Sequence, residues 1–211
     1  MRTALAIFVK TPSLSLVKTR LAATIGRVRA EEFYHASLGA VKVCAQQADV
    51  TPFWAVAEIE GVGDPLWSDF PTLHTGDGDL GARQYHIYRT LLEEYDRVIL
   101  IGADAPQITA DLLTDAIKAL DTHDFVIGPA HDGGYYLFGG RAHMGASVWS
   151  DVPWSTDHTR EALIKKLPAK PVFLSFLSDV DTHDDLQMIL REMPKQKSAE
   201  QQGVVDWIES L

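Results

Sequence analysis

The sequence predicts an α/β fold, a mostly parallel sheet with helices on both faces, in a single domain over residues 1–211. Three apolar runs of strand length, Ala4–Val9, Val98–Ile101 and Phe125–Ile127, each stop within a few residues at Gly, Pro or Asp. Between them lie longer segments with apolar residues at three- and four-residue spacing. Strands that alternate with helices in this way pair in parallel, because each crossover returns the chain to the same edge. A length of 211 residues exceeds one typical domain and falls short of two, and 46% hydrophobic with 23% charged residues is a globular balance.

Each element has its own signal. Ala4–Val9 is a continuous apolar run, as in a strand covered on both faces. A helix begins near Val17, and residues 30–48 form a longer one, with Phe33, Ser37/Leu38, Val41 and Cys44/Ala45 on one side. Thr51–Ala57 is a fourth strand candidate. Segment 58–72, with Gly61, Gly63 and Pro65 and no period, reads as a surface loop or a lid. Leu80–Tyr95 is helical, and Thr109 is placed to cap a helix over Ala110–Leu120. Tyr135–Phe138 and Val172–Leu174 are weaker strands. A helical pattern opens near Asp157, another carries Leu186, Ile189 and Leu190, and residues 198–211 form a short helix that packs Val204, Val205 and Trp207 on the body.

Composition excludes several classes. One cysteine, Cys44, rules out an internal disulfide framework or a multi-cysteine metal site, and its helical position suits core packing. The opening apolar run stops at Lys10, too short for a signal segment or a membrane span, so a soluble, cytoplasmic protein with no membrane partner is expected. The net charge of −10 argues against nucleic acid as a partner. The charge is uneven, however. Residues 1–42 balance at +5, leaving −15 on the remainder, which suggests a small anionic ligand held near the start and acids elsewhere for a metal.

Five segments carry that chemistry. After the first strand, Lys10, Thr11, Lys18 and Arg20 share one loop and helix start, where ligands meet doubly wound sheets, and three cations there suit a di- or triphosphate. The loop is neither a G-x-x-x-x-G-K-[ST] nor a G-x-G-x-x-G motif. Gly76–Arg83 opens a helix, so the amides around Gly81, with Arg83 one turn in, are an anion-binding candidate. Ile99–Pro106 delivers Asp104 to a strand end beside Gly102, a hard oxygen ligand for Mg²⁺ or Mn²⁺ or else a helix cap. In Gly128–Leu137, Asp132, Gly133, Gly134 and Tyr135 form either a tight turn or an acceptor-side wall with Asp132 as general base; Trp154 is an aromatic wall or core filler. In Ser178–Leu186, Asp181 is a second metal carboxylate or caps the following helix together with Thr182.

In order and spacing these segments, F-V-K-T-P…V-K-T-R-L-A, G-D-G-D-L-G-A-R, I-G-A-D-A-P, G-P-A-H-D-G-G-Y-Y-L and V-P-W-S-T, resemble the bacterial DUF2064 proteins, also called the selenodomain-associated transferase 1 family. That group is glycosyltransferase-A-like and lies in the nucleotide-diphospho-sugar transferase superfamily. The resemblance implies a Rossmann-like three-layer sandwich that binds a nucleotide at its strand ends. Asp104 matches the superfamily's metal-binding acid, and Asp181 the second acid of its nucleotidyltransferases, whose D-x-D-T-P-E-D-L ending is similar to D-V-D-T-H-D-D-L here. The first segment is similar to the lysine–arginine loop of 2-phospholactate guanylyltransferases. Two departures stand out: Gly102 replaces the first acid of an Asp-x-Asp, and the nucleotidyltransferase G-x-G loop is absent. The expected activity is metal-dependent transfer from a nucleotide donor to a small-molecule acceptor, with Lys18 and Arg20 stabilising the leaving phosphates. Glycosyl transfer from an NDP-sugar ranks first and nucleotidyl transfer from an NTP second. A nucleotide-binding protein without turnover is the third reading.

Overall fold

The computed structural model describes all 211 residues. Seven strands form one sheet in the order β3-β2-β1-β4-β6-β5-β7. They are β1 (Thr3–Val9), β2 (Thr51–Val56), β3 (Thr72–His74), β4 (Arg97–Gly102), β5 (Phe125–Pro129), β6 (Tyr135–Gly140) and β7 (Val172–Phe173). Only β6 runs antiparallel to its neighbours, β4 and β5. The mostly parallel sheet is therefore as the sequence predicts. The exceptional strand arises because a turn over residues 130–134 is too short for a crossover and forces a hairpin.

Seven α-helices flank the sheet: α1 (Thr19–Ile25), α2 (Arg27–Gln47), α3 (Leu80–Leu92), α4 (Ala110–Thr122), α5 (Thr159–Lys166), α6 (Asp185–Glu192) and α7 (Ala199–Glu209). α2 and α4 pack on one face and α3 and α5 on the other. α2 is buried from two directions. Tyr34, Leu38, Val41 and Cys44 face the sheet, whereas Phe33 and Ala40 join a separate cluster with α1, α6 and α7. That places Phe33 off the single apolar side the sequence suggested. The Cys44 thiol is pushed up to about 12 by burial, as fits a core residue. Val204 and Val205 are buried as expected, and Trp207 stands half-buried against Phe33, ring centroids 5.3 Å apart.

Segment 58–72 is folded and not a loose loop. Two 3₁₀ turns, Ile59–Gly61 and Pro65–Trp67, fold it back so that Trp67 is buried against Trp54, and it ends at the start of β3. β3 has three half-buried residues, too few for an alternation to be read. No helix is long and apolar enough to cross a membrane.

The β5–β6 turn meets the segment before α5 closely. Gly133 has φ +92°, and a Cβ there would lie 2.0 Å from the Asp157 carbonyl oxygen. Both the backbone conformation and the missing side chain are required. Gly133→Ala is expected to destabilise the fold by at least about 2 kcal/mol, read as a lower urea midpoint.

Candidate functional site

β1 and β4 are adjacent, but the chain leaves them in opposite directions, β2 and β3 to one side and β6, β5 and β7 to the other. At such a switch point the loops beyond the carboxyl ends diverge and leave a crevice. A cleft of about 870 Å³ opens here. Lys10, Lys18 and Arg20 line it, with Gly102, Asp104, Tyr135 and Asp181 and, beyond β2 and β3, Glu58, Thr75, Arg83 and Gln84.

The loop after β1 is tied from both sides. Tyr34 of α2 accepts from the Lys10 amide at 3.0 Å and donates its hydroxyl to the Lys10 carbonyl at 2.8 Å. Burial, the largest cause, pushes the Tyr34 phenol above its ordinary range. Glu58 accepts from the Thr11 amide, and Thr11 is buried with its hydroxyl receiving the Trp67 indole N–H. Thr11 therefore holds the 58–67 segment and does not line the cleft. Lys10 itself is exposed, with no carboxylate in ion-pair range.

The other two cations of the basic loop meet acids. Lys18, in a left-handed conformation (φ 49°) just before α1, places Nζ 2.6 Å from Asp104 Oδ1 and donates to the Val180 carbonyl at 2.5 Å. Its side chain is only 5% exposed while that of Asp104 is 49% exposed. Arg20 reaches Asp181 at 2.6 Å in an exposed pair, worth about 0–1 kcal/mol. The two acids thus stand together, each already facing a cation. Neither caps a helix: Thr109 caps α4, and the Asp181 and Thr182 amides are held by Asp185 of α6. A methyl group on Gly102 would meet no protein atom closer than 3.9 Å, so internal packing does not demand this glycine.

Other predicted residues lie elsewhere. Asp79 already occupies the start of α3, accepting from the Ala82 amide at 2.8 Å. Gly81 is buried where a Cβ would lie 2.5 Å from both Trp154 Nε1 and the Trp149 carbonyl, so its lack of a side chain serves packing. Arg83 does reach the cleft, bonding at 3.1 Å each to the Gly78 and Ala57 carbonyls and the Thr75 hydroxyl, with no acid in ion-pair range. Asp132 accepts from the Gly134 amide at 2.8 Å in a tight turn, with its carboxylate close enough to Asp179 to raise it, and Trp154 stacks on Trp149 at 6.4 Å. Gly133 and Gly134 serve the same turn, whose carbonyls at Ala130 and Gly134 receive Arg160. Tyr135 is on the cleft wall, donating to Gln84 at 2.6 Å.

Reading by motif missed Glu58, Gln84 and Asp179. Asp179 is a half-buried acid whose carboxyl is raised to about 6, first by burial and then by the charges of Asp132, Asp181 and Asp104. Its only sequence signal was proximity to Asp181.

The family model described as "Uncharacterized protein conserved in bacteria (DUF2064)" matches residues 30–156. The chain belongs to this family. The matched region contains Gly81, Arg83, Asp104 and Asp132, but the basic loop and Asp181 lie outside it. No curated protein matches the sequence. Among solved structures, this DUF2064 chain is similar to a provisionally named nucleotide-diphospho-sugar transferase from Desulfovibrio desulfuricans, at 26% identity and a TM-score of 0.85, covering 100% of this chain and 98% of that one. It shares its fold with CMP:2-keto-3-deoxy-manno-octonic acid synthetase complexed with CTP (12% identity, TM-score 0.58, 89% and 96% covered). A manganese complex of the Mycobacterium tuberculosis protein Rv0371c also has this fold (14%, 0.53, 90% and 99%).

The Asp179 carboxyl gives the site a pH signature. It binds its proton more tightly folded than unfolded, so its contribution is fully present below about pH 4 and is lost as pH rises to about 6. In EDTA, Asp179→Asn is expected to abolish this loss and raise stability at pH 7 by about 2–3 kcal/mol, read by urea titrations at pH 4 and pH 7.

Proposed function

We propose that this DUF2064 protein is a nucleotide-using transferase whose donor lies in the strand-end cleft, and that the donor is an NDP-sugar. The observation that carries the reading is the pairing of two unneutralised cations, Lys10 and Arg83, with two carboxylates, Asp104 and Asp181, around one crevice at the switch point. Lys10 and Arg83 suit the diphosphate oxygens, Arg83 arriving already oriented by three neutral acceptors. Tyr135 and Gln84 wall the far side.

The donor set fits a divalent cation of one kind. No three His, Cys, Asp or Glu side chains form a preformed metal cage. Two hard carboxylates lining one cleft instead suit Mg²⁺ or Mn²⁺ held by Asp104 and Asp181 together with ligand oxygens. When bound there, such an ion would supply neutralisation of phosphate charge and polarisation of the bond to the leaving group. Lys18 and Arg20, relieved of these acids, are within the same cleft to stabilise the departing phosphates. The similarity to the Desulfovibrio transferase over the whole chain supports the NDP-sugar. Nucleotidyl transfer is the second reading, favoured by the number of cations lining the cleft, which suits a triphosphate.

Incubation with NDP-sugars or NTPs and Mn²⁺ is expected to release NDP; release of pyrophosphate selects the second reading, and metal-linked binding without turnover indicates a non-catalytic nucleotide-binding protein. Asp104→Asn leaves the buried Lys18 ammonium without its counter-charge and is expected to lower the urea midpoint, and in the folded protein to lose about 10–100-fold in Mn²⁺-linked nucleotide affinity by calorimetry. Equal affinity with EDTA, or in the variant, removes Asp104 from the site. Lys10→Ala should weaken a nucleoside diphosphate by about tenfold or more and leave the bare nucleoside unchanged.

A further inference from the structure

The acids Asp104 and Asp181 come from loops far apart in sequence, one after β4 and one between β7 and α6. Two side chains join these loops behind the cleft. Gln107, three residues beyond Asp104 and 2% exposed, donates its amide to the Ser178 carbonyl at 2.5 Å and to Glu192 Oε2 at 2.9 Å. Glu192, whose side chain is 16% exposed, also accepts from the Ser178 amide at 2.7 Å and the Ser178 hydroxyl at 2.8 Å. Ser178 stands three residues before Asp181. One carboxylate therefore receives a group from the Asp104 loop and two from the Asp181 loop.

The arrangement is costly locally. Glu192 is the last residue of α6, at the negative end of the helix dipole, where an acid is disfavoured. Gln107 Oε1 is buried with no hydrogen-bond partner, the penalty that native folds ordinarily avoid. Violations of local preference concentrate where a fold serves a site instead of its own stability. The other end of α6 acts on the same loop, with Asp185 accepting from the Asp181 amide at 3.0 Å. A single eight-residue helix thus fixes the loop on both sides of Asp179 and Val180.

We infer that Glu192, through Gln107 and Ser178, is a positioning residue that sets the placement of Asp181 relative to Asp104 for a shared divalent cation. This rests on the proposed nucleotide–metal site. Outer groups that orient metal ligands change metal affinity by about 10–100-fold when removed. They leave alone any ligand contact that does not pass through the acids, here those of Lys10 and Arg83.

The test uses Glu192→Leu, which keeps the bulk of the side chain and removes all three accepted bonds. Binding is measured by calorimetry for whichever of ADP, CDP, GDP and UDP binds the unmodified protein tightest, with Mn²⁺ and with EDTA, and Mn²⁺ occupancy by paramagnetic resonance. Expected is a 10–100-fold loss of Mn²⁺ affinity with metal-free nucleotide affinity changed less than twofold. A parallel loss of both affinities shows a merely structural role and overturns the inference. So does unchanged Mn²⁺ affinity in a variant that folds. Should Glu192→Leu fail to fold, Ser178→Ala, which removes one of the three bonds and keeps the backbone one, is read in the same way, with at least a threefold loss of Mn²⁺ affinity expected. If the unmodified protein binds no nucleotide with Mn²⁺, the nucleotide–metal reading itself falls and takes this inference with it.

Discussion

The buried ammonium of Lys18 holds the candidate site together. Placing a lysine almost wholly inside a protein costs several kcal/mol in lost hydration unless its charge and donors are met. Here Asp104 meets the charge and the Val180 carbonyl takes a second donor. The backbone bends into the left-handed region to bring the side chain in, a conformation few non-glycine residues adopt. Three segments converge on one nitrogen: the loop after β1, the loop after β4, and the loop before α6. The Val180 amide returns a bond to the Asp104 carbonyl at 3.3 Å, so main chain and side chain lock the same pair of loops. Asp104 is left half-exposed toward the cleft, where a carboxylate must be to act on a ligand.

Strand-end logic explains why much of this was legible in the sequence. An apolar run that stops at a charged residue marks the place where a parallel strand leaves the sheet. In a doubly wound sheet such ends share one edge. Lys10 and Asp104 follow from that alone, and both line the cleft. β6 could not be given its direction from its own residues, because the hairpin depends on the length of the turn before it. Glu58, Gln84 and Glu192 carry no local signature. Their roles come from partners 47, 51 and 85 residues away, contacts that no spacing rule encodes. Lys18 was legible as a cation at the site but not as the partner of Asp104. Its two partners lie on other loops, and only the closed sheet brings them near.

The family-like segments divide between ligand-facing and packing duties, and their spelling does not reveal which. G-D-G-D-L-G-A-R and V-P-W-S-T read as separate motifs, yet they form one packed unit. Asp79 caps the helix, Gly81 leaves room, and Trp154 fills that room while stacking on Trp149. Likewise Asp132-Gly133-Gly134 is a turn fitted against Asp157 and held by Arg160, with the Asp132 carboxylate acting on Asp179. A glycine beside a charged residue suggests anion binding because both features expose backbone amides. The same pair is also what a tight helix start or a close crossing needs. Of the G-D-G-D-L-G-A-R segment, Leu80 and Arg83 reach the cleft, and Arg83 alone brings a charge to it.

The charge arrangement narrows the kind of ligand the proposed site favours. A bare anion entering the cleft gains from Lys10 and Arg83 but meets the carboxylates of Asp104 and Asp181, with Asp179 beside them. The charges of Asp181 and Asp104 already help to raise the Asp179 carboxyl. A bare divalent cation gains from Asp104 and Asp181 but must compete with Lys18 and Arg20, each 2.6 Å from its acid. A ligand that carries both signs, a diphosphate with its metal, answers each group with its complement. The basic start and acidic body of the chain are then two halves of one requirement, brought to a common edge by the reversal of strand order between β1 and β4.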